Sequence, residues 1–73
     1  KPQGIPLRML EEVVLWPDEL EALKLYEVDG LNQTIAAKKM KISQPTLARL
    51  LDSANKKIAQ AIITGKAIRI EEK

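Results

Sequence analysis

The segment from Leu31 to Leu51 constrains the fold of this chain most, because its apolar residues have the spacing of two short crossed helices. The positions where such helices contact each other or a supporting core carry apolar or small residues: Ala36, Ala37, Met40, Ile42, Leu47, Leu50 and Leu51. Polar residues occupy most of the positions between them. Ala37 suits the closest approach of the helices, and Ser43 is placed to cap the second one. The spacing therefore predicts a helix-turn-helix.

The turn of this motif departs from the common pattern at Lys41, where glycine is usual because glycine tolerates a left-handed backbone. A non-glycine residue in that conformation costs about 1 kcal/mol, which a packed motif can absorb. We therefore keep the helix-turn-helix interpretation. A helical hairpin that only builds a core is the alternative interpretation of the same spacing.

The whole chain predicts a mainly α domain of three helices, at about residues 17–28, 33–40 and 44–64. Gly30 and Gly65 are placed to end the first and third helices, and Asn32 to cap the second. The third helix keeps one apolar face for about twenty residues, which is long for a helix that reads DNA.

The start of the first helix combines acidic residues with a tryptophan. Asp18, Glu19 and Glu21 place negative charge in the first turn, where it favours the helix dipole. We interpret them as helix-end charges and not as acid or base catalysts, because no nucleophile or metal ligand accompanies them. Trp16 is interpreted as a hydrophobic staple that folds onto the core.

Two short terminal strands complete the predicted fold, at about residues 12–15 and 67–71. Ile68 and Ile70 alternate with polar residues, which is typical of a strand. A single strand cannot satisfy its backbone hydrogen bonds. We therefore expect this strand to pair with residues 12–15, either of the same chain or of a second copy.

Composition excludes several kinds of site. The 73 residues form one domain, residues 1–73, that buries only about 60 % of its surface on folding. The chain has no cysteine and no histidine, which excludes a disulfide framework, a thiolate zinc site, a cysteine nucleophile and a histidine base. We expect no enzymatic activity, no metal and no cofactor. No apolar run reaches the roughly 18 residues of a membrane span, so we expect a cytoplasmic protein with no membrane partner.

Charge is distributed unevenly along the chain. Residues 1–30 hold three basic and seven acidic side chains, a net charge of −4, and residues 31–66 hold seven basic and one acidic, a net charge of +6. The basic part contains the predicted helix-turn-helix. This distribution favours a polyanionic partner, whereas an ordinary solvated lysine face is the alternative.

The third helix is predicted to enter the major groove of DNA from Gln44 onward. Gln44 and Arg49 project outward and are candidates to contact bases. The predicted DNA-binding residues are Gln33, Thr34, Lys38, Lys39, Ser43, Gln44, Pro45, Thr46, Ala48, Arg49 and Lys56. Among them Lys38, Lys39, Thr46 and Lys56 are expected to contact phosphates without reading sequence.

A homodimer is the expected working unit, because one helix-turn-helix buries only about 600–1,000 Å² on DNA. The third helix and the second strand carry more apolar residues than one small core needs. The predicted dimerisation residues are Ile58, Ile62, Ile63, Ile68 and Ile70. A monomer with strands paired inside the chain is the alternative.

Five stretches read Leu20-Glu-Ala-Leu-Lys-Leu, Gly30-Leu-Asn-Gln, Ala36-Ala, Ile42-Ser-Gln-Pro-Thr and Arg49-Leu-Leu. Together they resemble region four of bacterial sigma factors, which reads the upstream promoter element. Three further stretches are Gly4-Ile5-Pro6-Leu7-Arg8-Met9-Leu10-Glu11-Glu12-Val13-Val14-Leu15, Ala54 to Ala59 and Gly65 to Ile70. These resemble a family of short, uncharacterised prokaryotic proteins that are predicted to bind DNA through such a motif. Because members of that family often carry additional terminal segments, we expect this chain to be trimmed from a longer protein.

The function that we expect is a sequence-specific DNA-binding module of a transcriptional regulator. The main alternative is a protein-interaction domain, in which the helix-turn-helix scaffold and the isoleucine-rich end of the long helix bind a subunit of RNA polymerase or a partner helix. RNA binding is a third interpretation. The salt dependence of affinity separates the first two, because counterion release makes DNA binding fall steeply with ionic strength.

Overall fold

The computed structural model describes residues 11–71 and confirms a mainly helical domain with a long third helix. Its elements in chain order are strand β1 (Glu12–Leu15), helix α1 (Pro17–Leu23) with a π-helical continuation (Lys24–Val28), helix α2 (Gln33–Met40), helix α3 (Gln44–Thr64) and strand β2 (Ala67–Ile70). The predicted bounds of the second and third helices agree with these elements, and β2 ends one residue earlier than expected. Residues 4–10, which carry part of the family resemblance, lie outside the described residues.

The first predicted helix consists of two helical forms. Beyond α1 the backbone bonds span five residues, and the Asp29 N–H donates to the Lys24 carbonyl at 2.8 Å. Gly30, at φ 77°, then reverses the chain in the left-handed region that glycine tolerates. The Leu31 N–H donates to the Leu25 carbonyl at 3.0 Å, which closes the wide turn and brings Leu31 back onto the core.

Side-chain caps begin both helices of the predicted motif. Asn32 Oδ1 accepts from the Ile35 N–H at 2.9 Å, and Ser43 Oγ accepts from the Thr46 N–H at 3.2 Å. Lys41 ends α2 at φ 61°, ψ 41°, the left-handed conformation predicted for the turn. Both caps and the turn are therefore confirmed.

The third helix ends at Gly65, whose φ of 73° confirms it as the predicted stop. The Lys66 N–H donates to the Ala61 carbonyl at 2.9 Å and closes this end, as the bond from the Ile42 N–H to the Ala37 carbonyl closes α2 at 3.0 Å. Within the described residues, neither α3 nor any shorter helix has the length and apolar character to span a membrane.

The core lies where the first, second and third helices meet. Its buried residues are Ala22, Leu25, Ala36, Ala37, Leu47 and Leu51. Half of them are alanines, which let helices approach closely but bury little apolar area each, so the core is small. On the first helix Ala22 and Leu25 are buried, whereas Leu20, Leu23 and Tyr26 are half-buried.

Strands β1 and β2 pair with each other in parallel, with Glu12 beside Ala67 and Leu15 beside Ile70. The pairing is within one chain, and the helices form the long crossover that a parallel pair requires. Strand β1 packs against α3, and Leu15 is buried. This sheet joins the two ends of the described chain to the long helix.

The interpretation of Trp16 as a staple is wrong. Trp16 occupies the N-cap of α1, its side chain is 51 % exposed, and it is not among the residues packed on the core. Its contribution comes from the backbone, whose N–H is bound by Glu19 as described below.

Candidate nucleic-acid interface

The first turns of α3 separate an outer from an inner face. Leu47 is fully buried, and Leu50 packs half-buried against the core. Among the predicted DNA-binding residues of this region, Ala48 is half-buried and the others are exposed: Ser43, Gln44, Pro45, Thr46 and Arg49. The capped start of α3 therefore presents a polar surface whose orientation is held by the core beneath it.

A side-chain hydrogen bond joins the amino-terminal ends of α2 and α3. Gln33 and Gln44 are the first residues of their helices, and Gln44 Nε2 donates to Gln33 Oε1. Gln44 is exposed and Gln33 half-buried. The positive ends of two helix dipoles thus lie side by side at the surface that carries these amides.

The Ser43 and Thr46 hydroxyls stabilise this helix start. Ser43 Oγ accepts from the Thr46 N–H and donates to Thr46 Oγ1 at 2.8 Å. The Thr46 hydroxyl therefore accepts one bond here and keeps its own hydrogen for an outside acceptor. Ser43 acts as a cap, which makes it a structural part of the predicted site.

Basic side chains differ in whether a carboxylate neutralises them. Five of the nine cations between residues 11 and 71 form salt bridges: Lys24, Lys56, Lys57, Lys66 and Arg69. The other four have no carboxylate of the described chain within salt-bridge distance, and all four lie in the helix-turn-helix: Lys38, Lys39, Lys41 and Arg49. We call these four the helix-turn-helix cations. All of them are exposed.

Lys56 differs from the helix-turn-helix cations with which sequence reasoning grouped it. Its Nζ lies 3.1 Å from Asp52 Oδ2, one helical turn earlier, and both side chains are exposed. An exposed pair of this kind is weak, but it offsets the charge that a phosphate would meet. Thr34 is exposed beside Gln33, as the prediction requires.

A buried polar cluster, which sequence reasoning missed, lies where β1, α1 and α3 meet. Glu19 is 4 % exposed, and its carboxylate accepts three hydrogen bonds. Its Oε1 accepts from Lys57 Nζ at 2.8 Å and from the Trp16 N–H at 2.9 Å, and its Oε2 accepts from Ser53 Oγ at 2.5 Å. Lys57 Nζ also donates to the Val14 carbonyl at 2.8 Å. We call this the Glu19 cluster.

The Glu19 carboxyl is held in its charged form. Burial by itself raises its pKa, but hydrogen bonds from Lys57, Ser53 and the Trp16 backbone, together with the charge of Lys57, outweigh burial and lower the pKa below the ordinary value. The cluster thus stabilises the junction of the sheet with the helices. It lies on elements other than α2 and the start of α3, so its role is to fix the scaffold.

A sequence signal for this cluster exists on α3. Ser53 and Lys57 are four residues apart and fall on the same helical stripe as Leu50, Ala54 and Ala61. Polar residues within an apolar stripe require a buried partner. Nothing in the sequence identified Glu19 as that partner, because an acidic residue in a first helical turn has an ordinary explanation.

The end of α3 is apolar and exposed. Ile62 is 73 % and Ile63 81 % exposed, whereas Ile58 is half-buried. In β2, Ile68 is 42 % and Ile70 53 % exposed, even though the strand pairs with β1. Four of the five predicted dimerisation residues are therefore exposed, and the fifth, Ile58, is half-buried.

Residues 1–72 match the family model described as protein of unknown function DUF134. The chain belongs to this family. The chain is 55 % identical over 71 residues to a UPF0251 protein of Caldanaerobacter subterraneus subsp. tengcongensis, and the match covers 97 % of this chain and 60 % of that relative. It is 54 % identical over 71 residues to a UPF0251 protein of Desulforudis audaxviator, covering 97 % of this chain and 46 % of the relative.

A UPF0251 protein of Moorella thermoacetica is 52 % identical over 71 residues, with 97 % of this chain and 48 % of the relative covered. The chain thus spans about half the length of these DUF134 relatives. No solved structure matches the chain.

Proposed function

We propose that this DUF134 domain binds double-stranded DNA as a module of a transcriptional regulator, with the start of α3 in the major groove. The observation that carries the proposal is the charge of the interface. The cations that lack a carboxylate partner within residues 11–71 all lie in the helix-turn-helix, around the exposed start of α3. Charge left exposed in this way is available to phosphates, whose neutralisation supplies much of the affinity for DNA.

The side chains divide into two roles on this proposal. Gln44 and Arg49 are exposed on the outer face of α3 and reach base edges, where glutamine pairs with adenine and arginine with guanine. Lys38 and Lys39, with Thr34 and Thr46, serve the phosphate backbone and position the helix. Lys56 contributes less to phosphate binding, because Asp52 pairs with it.

The proposal is tested by selecting bound duplexes from a random DNA library and measuring affinity for the selected duplex at several salt concentrations. Affinity should fall steeply as salt rises, because bound counterions are released. Replacing a base-reading side chain by alanine should cost about 1–3 kcal/mol and relax the preference at one base pair. If Gln44→Ala and Arg49→Ala both leave the consensus and the affinity unchanged, α3 does not read the groove.

We further propose that two copies of the chain act together through the end of α3. Ile62 and Ile63 are exposed beyond the part of α3 that covers the core, and a single module buries too little area for a specific site. A second copy supplies both an apolar cover and a second half-site. Because β2 already pairs with β1 of its own chain, α3 carries the contact and the strand contributes only side chains.

Sedimentation equilibrium over a micromolar concentration series tests this dimer. We expect Ile63→Ser to lower the association constant, because it removes an exposed apolar side chain from the contact. Val28→Ser is the matched control, since Val28 is 78 % exposed at the end of the first helix. A monomer mass at every concentration would refute the dimer, and equal effects of the two substitutions would move the contact elsewhere.

The same isoleucines favour a second candidate function, a protein-interaction domain that docks an apolar partner such as a helix or a polymerase subunit. An apolar contact responds little to salt, whereas DNA binding responds steeply. A domain that selects no duplex and binds a partner with a flat salt profile would support this second function.

A further inference from the structure

The bond between Gln33 and Gln44 limits what the Gln44 amide can recognise. A glutamine side chain has two N–H donors on Nε2 and one carbonyl acceptor. In this structure one of the two Gln44 donors is bound to Gln33 Oε1. Gln44 therefore has one donor and its carbonyl oxygen left for a base.

Adenine and guanine differ in whether they can bind the one donor and one acceptor that Gln44 has left. In the major groove adenine presents the N7 acceptor and the N6 donor, whereas guanine presents two acceptors, N7 and O6. One donor with one acceptor matches adenine. A two-point contact to guanine needs both N–H groups of Gln44, and one of them is engaged.

We infer that Gln33 is a positioning residue that restricts Gln44 to adenine and excludes guanine. This inference rests on the proposed DNA-binding function and names the base that α3 selects. Gln33 suits the role because it is half-buried at the first position of α2, whereas Gln44 is exposed at the first position of α3. The bond also fixes the rotamer of Gln44 before DNA arrives, which reduces the entropy lost on binding.

The test compares duplexes that carry A·T or G·C at the base pair where Gln44→Ala loses its preference. Competition binding is measured for the unchanged domain and for Gln33→Ala, Gln33→Glu, Gln44→Ala and Gln33→Ala with Gln44→Ala. Gln33→Glu keeps an acceptor at the same reach and serves as the conservative variant. Thr34→Ala is the matched control, because Thr34 is the exposed neighbour on α2.

The unchanged domain should prefer adenine over guanine by about tenfold or more. Gln33→Ala should reduce this ratio to about that of Gln44→Ala, and the double replacement should reduce it no further. Gln33→Glu should keep the ratio while weakening binding to both duplexes, since its charge repels phosphate. Thr34→Ala should weaken both duplexes equally. Circular dichroism and urea unfolding confirm that each variant is folded.

An unchanged adenine-to-guanine ratio in Gln33→Ala would overturn the inference and leave the proposed function standing, provided that Gln44→Ala loses the ratio. A preference for guanine at that base pair would also overturn it. Failure of the unchanged domain to select any duplex would overturn the proposed function itself, and the inference with it.

Discussion

The cations at the sheet end of the molecule and those of the helix-turn-helix stand in opposite surroundings. At the sheet end, Lys57 is bound to Glu19 and Lys66 lies 3.1 Å from Glu11, while Arg69 lies 2.7 Å from Glu12. In the helix-turn-helix, the four exposed cations have no such partner within the described part of the chain. Within the described part of the chain, the cations of the sheet end are each paired with a carboxylate, whereas those of the helix-turn-helix are not.

This difference separates charge that holds the fold from charge that is open to a partner. A paired cation contributes to stability in proportion to its burial and offers little to a polyanion. An exposed, unpaired cation adds nothing to folding, and neighbouring cations repel one another. Within the described residues the fold supplies no carboxylate partner for the helix-turn-helix cations, and the following substitutions test the division between paired and unpaired cations.

The largest effect is expected from Lys57→Met, which removes the cation of the Glu19 cluster. Because Glu19 would remain buried without its charged partner, the free energy of unfolding should fall by about 3 kcal/mol. Such a loss is a large part of the stability of a domain this small. Urea unfolding followed by circular dichroism measures it.

Lys56→Met is the matched control, because Lys56 is the neighbouring residue and its pair with Asp52 is exposed. It should change the free energy of unfolding by less than about 0.5 kcal/mol. Adding Glu19→Gln to Lys57→Met should recover part of the loss, since the buried charge is removed. Equal urea midpoints for the two lysine variants would show that the Glu19 cluster does not stabilise the fold.

Replacing three helix-turn-helix cations together should affect DNA binding and not stability, in contrast to Lys57→Met. Lys38, Lys39 and Lys41 changed to alanine should leave the fold intact and reduce the salt slope of DNA binding by about two to three units. Lys24→Ala with Lys66→Ala is the control, because both residues are paired with carboxylates. Equal salt slopes for the triple variant and the unchanged domain would show that these lysines do not contact phosphates and form an ordinary solvated face.

The local signals that sequence reasoning could use were short-range ones. The caps at Asn32 and Ser43, the left-handed Lys41 and the stop at Gly65 each depend on a few neighbouring residues, and each is confirmed. The separation of Leu47 from the exposed Gln44 follows from helical spacing in the same way.

The features that sequence reasoning missed join distant residues. The bond between Glu19 and Lys57 spans 38 positions, and the side-chain bond between Gln33 and Gln44 spans 11. Val13 pairs with Ile68, which is also far away in sequence. For the same reason, the sequence did not decide whether this strand pairs within one chain or with a second copy. The spacing of residues within one helix contains no information on which charge of another element will face it, so only the packed structure distinguishes paired from unpaired cations.

Acid should reduce the stability that the Glu19 cluster gives to the fold. The pKa of Glu19 in the folded state is lowered below its unfolded value. In the pH range between these two pKa values, the unfolded chain therefore binds more protons than the folded one. Stability from Glu19 is therefore present above the unfolded pKa and is lost as the pH falls through the folded pKa. Urea midpoints measured from neutral pH into this acidic range should decline.

Glu19→Gln should flatten this decline, because the group that titrates is removed. Glu21→Gln is its control on the same helix, since Glu21 is exposed, and it should keep the decline of the unchanged domain. A profile that Glu19→Gln leaves as steep as before would attribute acid unfolding to other carboxylates.

The smallest and sharpest test concerns Lys41, which lies in the helix-turn-helix and carries a strained backbone at φ 61°. Lys41→Gly should raise the free energy of unfolding by up to about 1 kcal/mol, because glycine tolerates this conformation without the clash of a Cβ atom. It should also lower the salt slope of DNA binding by about one unit, because one cation is lost. Lys41→Ala removes the same charge but keeps the strain, so it should lower the slope without raising stability. If both variants gain stability equally, the gain comes from reduced charge repulsion and not from the backbone. If neither variant changes the salt slope, Lys41 is not a phosphate contact, and its place in the turn would have no explanation in DNA binding.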